Sequence, residues 1–204
     1  MEVDRVSSPR RERTRLRILD AANRQLLERG YHGVGLEAVA REAGVTRQTV
    51  YDQFGSKAGL LGAMIGRQEE QAGLPRVLQK VVSQIDGMSM LKAMLDAIVE
   101  VEPLVYPYSR LVYAARLDDP VAADMWHARM SSRRAGMGMV FARLASDGRL
   151  RRGITPEEAA EIAWALASPH QYEYLVIERG WTVERYRRHL EEAITSNLIA
   201  PVLG

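Results

Sequence analysis

Residues 36–57, LEAVAREAGVTRQTVYDQFGSK, constrain the fold more than any other stretch of the chain. Leu36, Val39, Ala40 and Ala43 fall at the i, i+3, i+4, i+7 spacing of one helical face. Gly44 follows, a residue that takes positive φ without steric cost and so ends a helix sharply. Val45 is the apolar plug of the turn. Thr46 is a good N-cap for a second helix whose inner face is Val50 and Phe54. Two helices joined by a short glycine turn have the layout of a helix-turn-helix, whose second helix enters the DNA major groove.

With Val50 turned inward at 100° per residue, Gln48, Tyr51 and Asp52 point away, and Arg47 and Thr49 lie on the flanks. Arg47 suits guanine O6/N7, and Gln48 suits adenine N6/N7. Thr49 offers a hydroxyl, or a methyl to thymine. Tyr51 carries a hydroxyl on a stiff arm suited to a phosphate. Lys57 opens a third helical pattern, where its charge joins free backbone N–H groups, so it too favours phosphate. A solvated helical hairpin is the rival account of two bare helices and a glycine. Base-reading and phosphate-reading groups converging on one helix argue against it. Thr46, Arg47, Gln48, Thr49, Tyr51, Asp52, Gln53 and Lys57 are the candidate DNA-binding residues.

Gly30-Tyr31, Val39-Ala40, Ala43-Gly44-Val45-Thr46, Val50-Tyr51, Phe54 and Ser56-Lys57 together resemble the N-terminal signature of the TetR family of bacterial one-component regulators. The resemblance runs from about Arg10 to Leu61. In one respect the chain departs from it. The family usually caps the helix before the turn with Ser or Thr, where this chain has Gly35, so a hydroxyl often aimed at a phosphate is missing. The resemblance implies an all-α fold: an N-terminal three-helix helix-turn-helix head over residues 9–56 and a helical ligand-binding and dimerisation body over 57–204. It further implies a homodimer, paired through a four-helix bundle of the last two helices, on a palindromic double-stranded DNA operator in the cytoplasm. A repressor released by a small, largely hydrophobic effector is the expected function.

Composition agrees with a helical globular chain. Of 204 residues 47% are hydrophobic and 26% charged, enough for a real core. Alternating strand patterns are missing. Cysteine is absent, which excludes disulfides and Cys-based zinc sites. The N-terminus lacks the apolar core of a signal peptide, and no apolar run reaches membrane-spanning length, so no membrane partner is expected. Five arginines fall between Arg10 and Arg17. A solvated tail accounts for such a run as well as DNA does.

Further along, helix signals punctuate the chain. A first helix starts at Pro9 and ends at Gly30. A long one follows Lys57 and breaks near Gly73-Leu74-Pro75. Segments 76–85 and 89–101 come next, with Pro103 closing the second. Asp118-Asp119-Pro120 opens a helix reaching about Ala145, with Met125, Met130, Met137, Phe141 and Leu144 toward its buried side. Thr155-Pro156-Glu157-Glu158 is a capping box with proline in the first turn. The helix it starts runs toward Glu178, is interrupted by Pro169, and is apolar on nearly every face. Thr182 caps a last helix with Tyr186, Leu190, Ala193 and Asn197 or Leu198 inward.

Signs of catalysis are few. The four histidines are scattered, with no H-E-x-x-H, so neither a metal nor another cofactor is expected. No G-x-S-x-G or P-loop occurs. Tyr108, Tyr113, Trp126, Met130, Trp164, His170 and Tyr172 are the candidate effector-binding residues, because Met and amphipathic aromatics line pockets for apolar ligands with a few polar atoms. For any one of them, core packing is the competing account. Two rival functions stay open at this level. One is a small all-helical enzyme using the Trp164/His170/Tyr172 region, and the other is a DNA-binding regulator whose body senses a protein partner.

Overall fold

The structure, a computed structural model, describes residues 9–201. Its helices are α1 (Pro9–Arg29), α2 (Leu36–Glu42), α3 (Arg47–Phe54), α4 (Lys57–Gln71), α5 (Leu74–Val82), α6 (Gly87–Ala115), α7 (Pro120–Ser146), α8 (Pro156–Leu166), α9 (Pro169–Tyr172) and α10 (Val183–Leu198). After α9 the chain winds on as a π-helix, Glu173–Glu178. The described residues contain no β-strand, only an isolated bridge between Leu150 and Ile199. The chain is all-α, as its patterning requires.

Two compact units partition it. One takes in the residues up to Gln68 together with Pro107–Trp126; the other comprises Glu69–Tyr106 and His127 onward. In the first, α1 supplies Ile18, Leu19, Ala21, Ala22 and Leu26 to the core. α1 packs on α2 and α2 on α3, and Val39 and Ala40 of α2, Val50 of α3, and Leu60, Leu61, Met64 and Ile65 of α4 are buried as well.

The second unit is built round α10. Tyr186, Leu190 and Ile194 are 0% exposed and Leu198 1%. They pack in one cluster with Leu91 and Leu95 of α6, Met137, Val140, Phe141 and Leu144 of α7, and Ala159, Ala160 and Ala163 of α8. Three alanines on one face of α8 let a neighbouring helix approach closely. The inward stripe of α10 therefore steps by four, through Ile194 and Leu198. Of the expected inward residues Ala193 is only half-buried, and of the pair Asn197 or Leu198 it is Leu198 that turns inward while Asn197 is exposed. Small Ala193 and polar Asn197 give up the inward positions to larger apolar neighbours one residue on.

Several local signals hold as expected. The Thr155 hydroxyl accepts from the Glu158 N–H while the Glu158 carboxylate accepts from the Thr155 N–H, completing the capping box. Asp119 Oδ1 accepts from the N–H groups of Val121 and Ala122, so the acidic cap of α7 is real. Thr182 caps α10 by accepting from the Arg185 N–H.

Pro103 does not end a helix. α6 runs as 29 residues straight through Pro103 and Pro107. Each proline forfeits one helical N–H donor, at a cost of roughly 3 kcal/mol in a helix interior. Val105, Tyr106, Tyr108, Leu111 and Val112, all buried, lie beside or beyond them, and their burial offsets that cost. Local propensity lost to packing here. Met125 and Met130 are half-buried, whereas Met137, Phe141 and Leu144 are fully inside.

A close approach fixes the start of α6. A Cβ on Gly87 would stand 2.8 Å from the Leu144 backbone N and 2.9 Å from its Cα. The Gly87 N–H donates to Asp147 Oδ2 at 2.6 Å, which ties the two helix ends together.

Candidate nucleic-acid interface

The α2–α3 turn closes by backbone hydrogen bonding that glycine makes possible. Gly44 has φ +63°, the Val45 N–H donates to the Ala40 carbonyl, and the Gly44 N–H donates to that of Arg41. Both bonds consume carbonyls that a helix end leaves open. α1 then braces the turn from outside. The Arg17 guanidinium donates to the carbonyls of Ala43 and Gly44. Gln25, 7% exposed, donates through Nε2 to the Ala38 carbonyl at 3.1 Å and to the Glu42 carboxylate, which Arg24 also holds at 2.7 Å. Those hydrogen bonds from Arg24 and Gln25 hold the Glu42 carboxyl below its usual range.

The sequence marked Arg17 only as the end of an arginine run, and it marked neither Arg24 nor Gln25. Gln25 carries the only usable signal, as a polar residue inside the apolar stripe of α1. Thr14, near the N-terminal end of α1, turns its hydroxyl back to the Arg10 carbonyl of its own helix.

α3 is set in this frame by its own cap. Thr46 Oγ1 accepts from the Thr49 N–H at 3.1 Å and lies 2.9 Å from Thr49 Oγ1, so both hydroxyls are engaged with each other. Val50 is 0% exposed. Arg47, Gln48, Tyr51 and Asp52 are exposed on the opposite side, and Thr49 and Gln53 are half-buried. The structure thus brings the polar candidates to one side of one short helix. At the helix N-terminus before α2, Gly35 caps with extended backbone and no side-chain hydrogen bond.

Lys57 stands apart from that group. Its Nζ lies 4.0 Å above the centroid of the Tyr31 ring, and burial lowers its pKa against the opposing influence of Asp119 and Asp118. Tyr31 in turn donates its hydroxyl to Asp119 Oδ2 at 2.6 Å. Burial, then that hydrogen bond, push the phenol well above its usual range, so it stays a donor. This lysine–tyrosine–aspartate arrangement joins α4, the α1–α2 loop and the start of α7, elements too far apart in sequence for their meeting to be legible.

Residues 18–64 match the model of bacterial regulatory proteins of the tetR family. Those residues carry a TetR-family helix-turn-helix domain. The α2–α3 turn and the helices around it are thus the DNA-binding domain of that family. Among curated relatives, the transcriptional regulator UidR of Escherichia coli K12 is 31% identical over 86 residues, 42% of this chain and 41% of that protein. The match thus spans about two fifths of that relative. Solved TetR-like folds extend the likeness to the body. NalD of Pseudomonas aeruginosa, the secondary repressor of the MexAB-OprM multidrug efflux pump, is 27% identical with a TM-score of 0.70 over 93% of this chain and 98% of NalD. A Saccharomonospora viridis transcriptional regulator solved with choline has 23% identity and a TM-score of 0.74, covering 93% of this chain and all of that one.

The seven aromatic and methionine candidates divide between the two compact units. Tyr108, Tyr113 and Trp126 lie in the first. There Tyr108, 5% exposed, donates its hydroxyl to Asn23 Oδ1 at 2.6 Å, and the Tyr113 and Trp126 rings meet edge-on at 4.9 Å. Met130, Trp164, His170 and Tyr172 lie in the second. Tyr172, 3% exposed, has Tyr106 at 5.4 Å and Tyr186 at 5.6 Å. Trp164 packs against the same cluster with its indole N–H buried and without an acceptor among the described residues.

Pro169 leaves the Ala165 carbonyl without its i+4 helical donor, and that carbonyl accepts instead from the Ser168 N–H at 3.3 Å. Arg133 donates to the Ala167 carbonyl at 2.7 Å and pairs with the buried Glu102 at 2.9 Å. An open groove of about 700 Å³ lies elsewhere in the second unit, along α10 between Met88, Arg149, Arg151 and Ile199, and touches none of the seven.

No group of three or more His, Asp or Glu side chains among the described residues is arranged to hold a metal ion. No described helix is long and apolar enough to cross a membrane.

Proposed function

We propose that this protein is a TetR-family transcriptional regulator, a cytoplasmic, homodimeric repressor whose residues 9–56 bind a palindromic operator and whose residues 57–204 bind a small, largely hydrophobic effector and the second subunit. The observation that carries the reading is α3, which buries Val50 and presents Arg47, Gln48, Tyr51 and Asp52 together to solvent. Two such helices related by a dimer axis fit two major-groove half-sites about one helical turn or a multiple apart. Selection of duplexes from a random-sequence pool tests it: a recovered palindrome is expected, and the absence of any enriched motif overturns it.

Repression is supported by the likeness to NalD, itself a repressor. A small organic effector is supported by the choline complex of the Saccharomonospora regulator and by the aromatic residues described above. The buried Trp164 indole N–H offers an effector one directed hydrogen bond. Effector binding favours one of two conformations, and release follows from its differential affinity for them.

Lys57 is assigned a phosphate contact. Lys57→Ala is expected to lower the slope of log binding constant against log salt by about 1 and to weaken binding to all sequences alike. An unchanged slope would remove Lys57 from the contacts and leave it as a partner of Tyr31 alone.

The dimer surface is assigned to α8 and the π-helical segment. Leu190 and Ile194 of α10 are consumed in the core of their own chain. Ile162, Tyr174 and Ile177 are instead 43%, 55% and 51% exposed. Wild type is expected to sediment as twice 22.9 kDa, and Ile162→Asp with Ile177→Asp as a folded 22.9 kDa species without operator affinity. A double variant that stays dimeric would move the interface elsewhere.

A further inference from the structure

The exposed face of α3 holds a side-chain pair whose chemistry fixes an orientation. Gln48 Nε2 donates to Asp52 Oδ1 at 2.7 Å across one helical turn. Residues four apart on a helix are surface neighbours, and a Gln–Asp pair at that spacing is a favourable one. A glutamine amide on its own is ambiguous as a reader, because a half-turn exchanges its donor edge for its acceptor edge. A carboxylate removes the ambiguity. It offers acceptors only, so the amide must turn its NH2 group toward Asp52. One N–H is then used on Oδ1. The second N–H and Oε1 remain, one donor beside one acceptor.

We infer that Asp52 is a positioning residue that locks Gln48 as an adenine reader, making one base pair of each half-site A·T in a fixed orientation. The inference rests on the DNA-binding role proposed for α3. Adenine presents an N6–H donor beside the N7 acceptor, which match the Oε1 and N–H that Asp52 leaves available. Guanine presents two acceptors, O6 and N7, and sets O6 against Oε1. A flipped amide would set Oε1 against N7 instead, and donating both N–H groups to guanine would mean abandoning Asp52. The pairing also accounts for a carboxylate on a DNA-facing helix, where its charge alone repels phosphates and weakens binding to every sequence.

The test uses the full chain as wild type, Gln48→Ala, Asp52→Ala, Asp52→Asn and the Gln48→Ala/Asp52→Ala double variant. Each is taken through selection from a random-sequence duplex pool. Affinities are then measured on four duplexes differing only at the base that Gln48 governs, and on unrelated DNA. Wild type is expected to prefer adenine there by about 5- to 100-fold, the range of one good bidentate contact. Gln48→Ala should flatten that column. Asp52→Ala should lower the adenine preference by about tenfold and leave the other columns as they are. Asp52→Asn should lower that preference as well, because an asparagine amide can donate as well as accept and so leaves Gln48 free to turn either edge to the base. Both Asp52 variants should bind unrelated DNA more tightly, since each removes a negative charge. The double variant should match Gln48→Ala at this column.

An intact adenine column in Asp52→Ala overturns the inference. Loss of a cytosine column elsewhere overturns it too, since that outcome means Asp52 reads cytosine N4 directly. Asp52→Asn keeping the adenine column in full, or Asp52→Ala weakening every column equally, also sinks it. A wild type that recovers no motif takes down the DNA-binding reading and this inference together. A clear wild-type motif with an unchanged Asp52→Ala column takes down this inference alone.

Discussion

Leu190→Glu is expected to unfold the unit built round α10. Leu190 is 0% exposed and sits in one cluster with Leu95, Phe141, Leu144 and Ala163. Removing its side chain as Leu190→Ala forfeits about 2–5 kcal/mol, transfer and cavity terms together. Glutamate adds a carboxylate with no partner in that cluster, to be either ionised in an apolar site or held protonated. The sum approaches the whole stability of an ordinary domain. Circular dichroism at 25 °C should show lost helix in Leu190→Glu, while Leu190→Ala keeps its helix and melts lower. The contrast with Ile162→Asp and Ile177→Asp matters, since those residues are half exposed and their variants should keep the native helix content. A Leu190→Glu protein with wild-type ellipticity and melting temperature would mean the α10 stripe faces outward.

Gly44→Val is expected to abolish operator binding. Gly44 has φ +63°, and for a β-branched residue that conformation costs about 1–3 kcal/mol on its own. A Cβ there would also stand 2.8 Å from Arg17 Nη2, the group that closes the turn onto α1. The guanidinium must swing away, and the Ala43 and Gly44 carbonyls lose their donor. α3 then loses its fixed angle to α2, which is what aims Arg47 and Gln48. Gly44→Asn is the graded control, because asparagine tolerates the left-handed region better than other residues. Binding should fall in the order Gly, Asn, Val. Equal binding by the Asn and Val variants would show that backbone conformation at the turn is not what aims α3.

Much of this protein was readable without coordinates because its decisive signals are local. The Thr46 and Thr182 caps, the Thr155/Glu158 capping box, Asp119 before Pro120 and the Gly44 turn each involve residues within a few positions of one another. Such hydrogen bonds depend on backbone geometry that a few residues dictate by themselves. The exposed set Arg47, Gln48, Tyr51 and Asp52 was legible for the same reason, since one buried Val50 orients a whole short helix. The family signature likewise lies within one short stretch, from Gly30 to Lys57.

What the tertiary structure alone decided involves residues far apart. Local rules break a helix at Pro103, yet α6 continues because buried neighbours beyond it outweigh a lost hydrogen bond. Gly87 looks like any loop glycine until the Leu144 backbone is found within 3 Å of where its Cβ would be. The α10 stripe turned through Ile194 and Leu198 because the facing helices, not periodicity, chose between adjacent residues. The hydrogen bond from Tyr31 to Asp119 spans 88 positions, and Lys57 is placed by it. Spacing in a sequence reports what one helix presents to its surroundings. Which surfaces then meet depends on how long-range apolar burial balances against chain entropy, and no single helix carries that information.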